Sequence, residues 1–272
     1  MTRAVPVLMY HHVCPQPGLV TVSPETFEEH MAYLARWKYR ALAADEFLEF
    51  LQGTRVLTGR NVLITFDDGY LDNYVYAYPI LQRYGLKATI FTITGLMGEG
   101  AARTHLGVGK VLPATPDHRA CKAAVAEGRA DDVMLRWSEI EAMESSGAIE
   151  IHSHTHTHQR WDQMHADRNR RFETVEKDLS ASRAALKLRL GKESRHLCWP
   201  WGYFEPEYQK IAAKLGFKAQ YATARGVNVA SNDPQHIARI VMKDRPARWF
   251  ATRIWAYSHP RIGKLYIRLR GE

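Results

Sequence analysis

The chain has 272 residues, of which 46% are hydrophobic and 24% charged, and its net charge is +8. This length allows one large α/β domain or two small ones, and the composition makes a disordered chain a poor interpretation. Cys14, Cys121 and Cys198 match neither a disulfide framework nor a Cys-x-x-Cys metal site, which favours a reducing compartment.

Short β-branched apolar runs alternate with helical patterns, which favours βα units and a mostly parallel sheet. The predicted strands are Val5–Tyr10, Asn61–Phe66, Lys87–Ile93, Ala148–His152, His196–Pro200, Lys218–Tyr221 and Ile237–Val241. Predicted helices start at Pro24 after the cap Ser23, near Asp72, at a capping box from Ser138 to Glu141, near Asp167 and at Glu205.

The first residues, 1–13, hold only a short apolar run without a small-residue cleavage site, so we expect no secretory signal. No stretch reaches the ~18 uninterrupted apolar residues of a membrane span. Residues 97–135 show little periodicity and are interpreted as an irregular insertion. We therefore expect a cytoplasmic protein with one main domain at 1–245 and a C-terminal helical segment at 246–272.

Two adjacent acids, Asp67 and Asp68, follow the apolar strand at Asn61–Phe66 in the stretch TFDDGY. Loops after the carboxyl ends of parallel strands are where α/β proteins build their sites. Asp-Asp-Gly is also good turn chemistry, so on its own this stretch predicts a turn and a site equally well.

Four histidines alternate after the strand at Ala148–His152: His152, His154, His156 and His158. A catalytic zinc site takes three protein ligands and leaves a position open for water, which two histidines and one carboxylate would satisfy. The spacing His-x-x-x-His occurs in both 152/156 and 154/158, and spacing alone does not choose between the pairs. Either acid could complete the site.

The combination of VLMYHHV, TFDDGY, SHTHTH and WPWGYF resembles the polysaccharide deacetylase family, the NodB-homology carbohydrate esterases. The resemblance implies a distorted (β/α) barrel of about seven parallel strands. It also implies that His154 and His158 bind one divalent metal ion, zinc before cobalt or nickel, with Asp68 as third ligand. Asp67 would then be the general base that deprotonates the attacking water.

The third motif of the family corresponds here to Pro200, Trp201 and Gly202, which would wall the substrate groove, with Trp201 stacking on a sugar ring. Two departures stand out. The family's usual arginine before this proline is replaced by Cys198, and Arg239 is our candidate for tethering Asp67 instead. The family's late histidine motif is absent, so the proton donor stays unassigned. We place His11 and Arg239 with the residues expected around the substrate.

Excess positive charge is concentrated at the C-terminus, where residues 236–272 hold nine Lys/Arg against two Asp/Glu. Arginines there alternate with aromatic and aliphatic residues. This pattern fits either a last helix that packs an aromatic stripe on the fold or an element that contacts an anionic membrane surface. No nucleic-acid module accompanies the charge, so we expect no nucleic-acid partner.

These features together predict a metal-dependent N-deacetylase that acts on an N-acetylhexosamine of a lipid-linked or cell-envelope glycan. It would work in the cytoplasm or on the cytoplasmic face of the inner membrane. Two alternatives remain: a glycan-binding homologue with weak chemistry, and an O-deacetylase that uses the same site.

Overall fold

Parallel strands form the frame of the protein, as the alternating pattern predicts. The computed structural model describes residues 1–109 and 111–269. In this part of the chain the strands are β1 (Val7–Tyr10), β2 (His12–Val13), β3 (Thr21–Val22), β4 (Tyr39–Ala41), β5 (Arg60–Phe66), β6 (Ala88–Thr92), β7 (Ile149–Ser153), β8 (His196–Cys198), β9 (Ala219–Tyr221) and β10 (Ile240–Val241).

Helices cover the connections between these strands. They are α1 (Pro24–Arg36), α2 (Ala44–Leu51), α3 (Tyr78–Arg83, continuing a π-helical turn at Asn73–Ala77), α4 (His118–Ala126), α5 (Trp137–Ser145), α6 (Trp161–Met164), α7 (Arg168–Leu190), α8 (Pro206–Lys214), α9 (Ala247–Tyr257) and α10 (Pro260–Leu269). Short 3₁₀ turns lie at Ala130–Asp132 and Pro200–Gly202.

Seven strands pair in the order β10-β1-β5-β6-β7-β8-β9, and every pairing is parallel. Strand β4 pairs with the start of β5, below the part of β5 that pairs with β1. A parallel bridge between Tyr221 and Ile237 ties β9 to the segment that leads into β10. The strands form a distorted α/β half-barrel, which confirms the predicted fold class.

Alternation along β5 sets the direction of the first acid after it. Ile64 and Phe66 pack in the cluster beneath the helices, whereas Leu63 packs in a second cluster with Phe91. Side chains two residues apart in a strand share a face. The Asp67 side chain therefore lies on the same face of the sheet as Leu63, at the carboxyl end of the strands.

Two local predictions differ from the structure. Helix α5 begins at Trp137, and its capping carboxylate is Glu139, which accepts the Arg136 N–H at 2.9 Å. The predicted box from Ser138 to Glu141 is wrong, because the Ser138 hydroxyl donates to the Gly100 carbonyl instead. The segment 97–135, which we interpreted as irregular, contains a full helix, α4, with Asp117 as its cap. Lys110 in this segment lies outside the described residues.

The C-terminal segment forms two helices, α9 and α10. Residues 270–272 lie outside the described part of the chain. Helix α9 packs against α1, where the Phe250 ring stacks on His30 at 4.2 Å. Phe250, Ile254 and Tyr257 are buried. None of the helices in the described ranges is long and apolar enough to cross a membrane.

Candidate active site

One cavity of about 540 Å³ opens at the carboxyl ends of the strands. The loops that follow β1, β5, β7 and β8 bring most of the predicted site residues into its lining: His11, Asp67, Asp68, His154, His158, Trp201 and Gly202. Of the remaining two, Pro200 is buried in the turn beneath Trp201, and Arg239 lies behind Asp67.

Asp68, His154 and His158 form a three-ligand cluster. Oδ1 of Asp68 lies 3.3 Å from Nε2 of His154 and 3.4 Å from Nε2 of His158. Tetrahedral bonds of about 2.0–2.1 Å put neighbouring ligand atoms about 3.3–3.4 Å apart, so the donor set fits one zinc-like ion. Partial burial of His158 lowers its pKa to about 4, so its imidazole is neutral and able to bind a metal at neutral pH.

A hydrogen bond fixes the orientation of the first histidine ligand. Nδ1 of His154 lies 2.8 Å from the carbonyl oxygen of Cys198. Because a carbonyl oxygen only accepts, Nδ1 carries a proton, and Nε2 is the ring nitrogen that faces Asp68 and is placed to bind a metal ion. The residue at position 198 therefore contributes its backbone to the metal site.

The other two histidines of the run point elsewhere. His152 lies within β7, where its Nδ1 lies 3.0 Å from the Ser194 hydroxyl. Nδ1 of His156 lies 3.0 Å from the Thr94 hydroxyl. Neither belongs to the cluster formed by Asp68, His154 and His158.

The backbone around the ligands is strained. Asp68 and His158 have φ angles of 73° and 55°, in the left-handed region that non-glycine residues rarely adopt. Such conformations cost about 1–3 kcal/mol each and persist only where the surroundings enforce them, which is common at functional sites. The Asp68 carboxylate and the His158 imidazole are therefore held in place by their surroundings and not by the conformational preference of the local backbone.

A buried carboxylate on α7 enforces the histidine loop, and sequence reasoning missed it. Asp178 accepts the N–H groups of His156 at 2.7 Å and Thr157 at 3.1 Å, and also bonds the Thr157 hydroxyl. One turn further, the Ser182 hydroxyl lies 2.7 Å from that of Ser153. The signal was available, because both residues interrupt the buried stripe of α7 with polar groups.

Asp67 is held by a buried arginine. The guanidinium of Arg239 donates to Oδ1 at 2.6 Å and to Oδ2 at 2.8 Å, and its Nε–H donates to the Ala222 carbonyl at 2.9 Å. Burial raises the pKa of Asp67, but the charge and hydrogen bonds of Arg239, together with His154 and His11, outweigh it and hold this pKa below its usual value. Asp67 is therefore ionised at neutral pH.

Arg239 consequently has the tethering position that we predicted, and its grouping with substrate-contacting residues is wrong. It is fully buried and absent from the cavity wall. Nη2 lies 3.1 Å from the Cys198 sulfur, which is also fully buried. The small side chain of Cys198 leaves room for the guanidinium of Arg239, which comes from the segment just before β10.

His11 lines the cavity beside Asp67. Its Nε2 is 3.8 Å from Oδ2 of Asp67, and its ring remains partly exposed to the cavity. Burial lowers the pKa of His11, although Asp67 and Asp68 counteract this. A lower pKa makes the protonated imidazole a stronger acid.

The Pro200–Gly202 turn presents an aromatic face at the rim. Trp201 is 55% exposed, and its ring centroid lies 5.4 Å from that of His158. It adopts a φ of 61°, a true outlier for a bulky residue. Gly202 is required beside it, because a Cβ there would lie 2.2 Å from the Thr223 hydroxyl oxygen. Trp199, by contrast, is a buried core residue.

Comparisons with known proteins agree with this geometry. The sequence profile described as polysaccharide deacetylase matches residues 55–220. The chain is 25% identical over 233 residues to a poly-β-1,6-N-acetyl-D-glucosamine N-deacetylase of Staphylococcus aureus strain MRSA252, a match that covers 82% of this chain and 68% of the relative. A 94-residue stretch is 44% identical to YxkH of Bacillus subtilis, but covers only 35% of this chain and 33% of YxkH.

Solved structures share the fold. IcaB from Ammonifex degensii superposes with a TM-score of 0.71 at 23% identity, covering 94% of this chain and 98% of IcaB. The Streptococcus pyogenes deacetylase PplD, determined with acetate, gives a TM-score of 0.72 at 22% identity, covering 93% and 98%. The profile match spans more than half of the chain, and it places this protein in the polysaccharide deacetylase family.

Proposed function

We propose that this protein is a metal-dependent N-deacetylase that releases acetate from an N-acetylhexosamine of a cell-envelope glycan, lipid-linked or polymeric. The observation that carries the proposal is one cavity that joins the Asp68–His154–His158 cluster to an ionised Asp67 and an exposed Trp201. Relatives with poly-N-acetylglucosamine N-deacetylase activity in their names support the substrate class.

A divalent ion held by Asp68, His154 and His158 would polarise the acetamido carbonyl and make water more acidic, with zinc before cobalt or nickel. Asp67 stands beside this cluster and takes the proton from the attacking water. Arg239 keeps its carboxylate ionised and aimed at the cavity, so that no reorientation precedes proton transfer.

The reaction also needs a proton for the departing nitrogen. Water adds to the acetyl carbon, the C–N bond breaks, and the amine must gain a proton as acetate forms. We assign this donor role to His11, because it lines the cavity and its Nε2 lies 3.8 Å from Oδ2 of Asp67. Trp201 supplies a flat apolar surface for the sugar ring.

Acetate release from a panel of N-acetylated sugars tests the proposal. The panel contains poly-β-1,6-N-acetylglucosamine, chito-oligosaccharides and a lipid-linked N-acetylhexosamine, each with an O-acetylated counterpart. We expect release from N-acetyl groups only, dependent on added divalent metal. Binding without any release would establish a glycan-binding homologue instead, and release from the O-acetylated set alone would establish an esterase.

Membrane contact is proposed for the outer face of α10. Ile262, Leu265 and Leu269 are exposed there at helical spacing, 37%, 56% and 76% respectively. The basic residues Arg261, Lys264 and Arg268 precede each of them by one position. This pairing supports a peripheral location on the cytoplasmic face of the inner membrane.

Vesicle flotation tests this contact on the full chain. We expect binding to vesicles that contain anionic phosphatidylglycerol and loss of binding when Arg261, Lys264 and Arg268 are all changed to glutamine. Equal flotation of the triple variant would exclude α10 as the contact. Removal of residues 246–272 is a poor test, because α9 buries core residues.

A further inference from the structure

Helix α4 forms a wall of the catalytic cavity that the proposed reaction does not use. His118, Lys122, Val125 and Ala126 all line the cavity. Their spacing of four, three and one residues places them on one face of the helix. Two of the four, His118 and Lys122, are polar, and they stand one helical turn apart.

A buried chain of hydrogen bonds orients His118. Nδ1 of His118 lies 3.1 Å from Nε2 of His12, whose own Nδ1 lies 2.6 Å from Oδ2 of Asp72. His12 is fully buried and its ring stacks on Tyr70 at 3.9 Å. Asp72 also accepts the Val13 N–H at 3.1 Å. Such a chain of hydrogen bonds fixes the orientation of the His118 ring more strongly than packing alone does.

This chain of hydrogen bonds leaves Nε2 as the ring nitrogen that His118 presents to the cavity, because Nδ1 faces His12. A carboxylate only accepts, so Nδ1–H of His12 donates to Asp72. Burial opposes charge on His12, but Asp72 with the nearby Asp68 and Asp117 raises the pKa of His12, which favours a second ring proton on Nε2 and its donation to Nδ1 of His118. In that arrangement the ring proton of neutral His118 is on Nε2.

Lys122 adds a cation next to this donor. Its ammonium lies 5.1 Å from the ring centroid of Trp201, across the mouth of the cavity. Among the described residues no carboxylate pairs with it within 4 Å. Nε2 of His118 and the Lys122 ammonium thus line the space beside the proposed sugar platform, and within the described part of the chain neither is bonded to an acceptor side chain.

We propose that α4 recognises an anionic oxygen substituent of the substrate, a phosphate or a carboxylate adjacent to the N-acetylated ring, through Nε2–H of His118 and the ammonium of Lys122. The proposal rests on the proposed function for the identity of the sugar. It makes His118 and Lys122 specificity-determining residues, with His12 and Asp72 as positioning residues.

Equilibrium binding to the full chain tests it without depending on turnover. Titration calorimetry compares N-acetylglucosamine 1-phosphate, N-acetylmuramic acid and neutral N-acetylglucosamine, and acetate is followed in the same samples. We expect at least one of the two anions to bind about tenfold more tightly than the neutral sugar, since charge-assisted hydrogen bonds are the strong ones. The first two ligands separate phosphate from carboxylate recognition.

Variants locate the effect on α4. Lys122→Gln and His118→Gln should each reduce the anionic-to-neutral preference about fivefold or more, whereas Arg119→Gln, which removes a charge from the exposed side of the same helix, should keep it. No preference in the wild type, or a preference that survives both cavity variants, overturns the inference. A preference of the expected kind without any acetate would leave it standing and defeat the proposed deacetylase activity instead.

Discussion

Arg239 and Arg253 are both buried, but the two ends of the molecule hold them by different means. At the catalytic mouth, Arg239 makes two charge-assisted hydrogen bonds to Asp67. In α9, the guanidinium of Arg253 lies 3.6 Å from the ring centroid of Trp249. The first arrangement concentrates opposite charges beside a cavity, whereas the second places a cation over an aromatic face, among its other contacts, within packed helices.

This difference in the surroundings of the two arginines distinguishes a functional site from a structural element of similar composition. Buried charges are costly unless paired, so a set of them around an open cavity indicates chemistry. Phe250 and Tyr257 of α9 are buried, whereas Trp255 is 52% exposed and Arg248 lies on the surface. The outer face of α10 also keeps basic and apolar side chains available to a partner.

The largest expected effect comes from removing a ligand at the mouth. Alanine at Asp68, His154 or His158 should abolish stable metal binding and reduce acetate release by more than about a hundredfold, because loss even of an outer-shell partner typically costs 10–100-fold. Metal content after dialysis and acetate release measure this. His152→Ala and His156→Ala are the controls, and metal loss in His152→Ala comparable to that in His158→Ala would show that the ligand register is wrong.

Asp67→Asn separates base chemistry from metal binding. The amide keeps the shape of the side chain but cannot take a proton, so kcat should fall about 10²–10⁴-fold while metal content stays unchanged. Steady-state acetate release and metal analysis of the same preparation provide the two readouts. Unchanged kcat would remove Asp67 from the mechanism.

Arg239→Met tests the charge pairing at the mouth directly. It leaves Asp67 buried without its partner, which should cost about 3–5 kcal/mol in the free energy of unfolding. Arg239 lowers the pKa of Asp67 from 3.8, so the pair stabilises the fold above that pH and the stabilisation is lost as pH falls.

The same variant should move the acid limb of the pH–rate profile upward, because Asp67 would then need a higher pH to ionise. Chemical denaturation at several pH values and the pH dependence of kcat/KM measure the two effects. A variant with lowered stability but an unmoved acid limb would show that Arg239 is structural only.

Asp178→Asn loosens the histidine loop without touching a ligand. The amide offers one accepting oxygen where the carboxylate serves both His156 N–H and Thr157 N–H, so metal affinity should fall about 10–100-fold. Competition with a chromogenic chelator measures the affinity. Glu173→Gln on the exposed face of α7 is the matched control, and an equal loss there would contradict the assignment.

The half-barrel and the acidic motif were predictable because both depend on local pattern. A continuous apolar run such as β5 is buried on both faces, and the residues that follow it must lie at the carboxyl edge. The resemblance in TFDDGY and SHTHTH then selected His154 and His158 from two equally spaced pairs, and the structure brings these two together with Asp68.

Contacts between distant segments were not predictable in the same way. Asp178 is far in sequence from the loop that it holds, and no spacing rule relates them. The sequence did not predict His118 as a site residue, because the stretch around it has few periodic apolar residues. That pattern predicts an irregular insertion rather than a helix that lines the cavity. Arg239 was proposed from a missing arginine at position 198, and only the barrel brings its guanidinium to Asp67.

Arg253→Met should have the smallest effect and so completes the comparison with Arg239. It removes a cation–π contact but keeps an apolar side chain of similar length, so the free energy of unfolding should fall by about 0.5–2 kcal/mol. No shift in the pH–rate profile is expected, because α9 packs on α1 away from the cavity lining. Arg248→Met, exposed on the same helix, should change stability by less than about 0.5 kcal/mol. A loss at Arg253 as large as that at Arg239 would show that the contacts of Arg253 hold the C-terminal helices as strongly as the charge pair holds the catalytic mouth, and the distinction between site and packing drawn from these two arginines would fail.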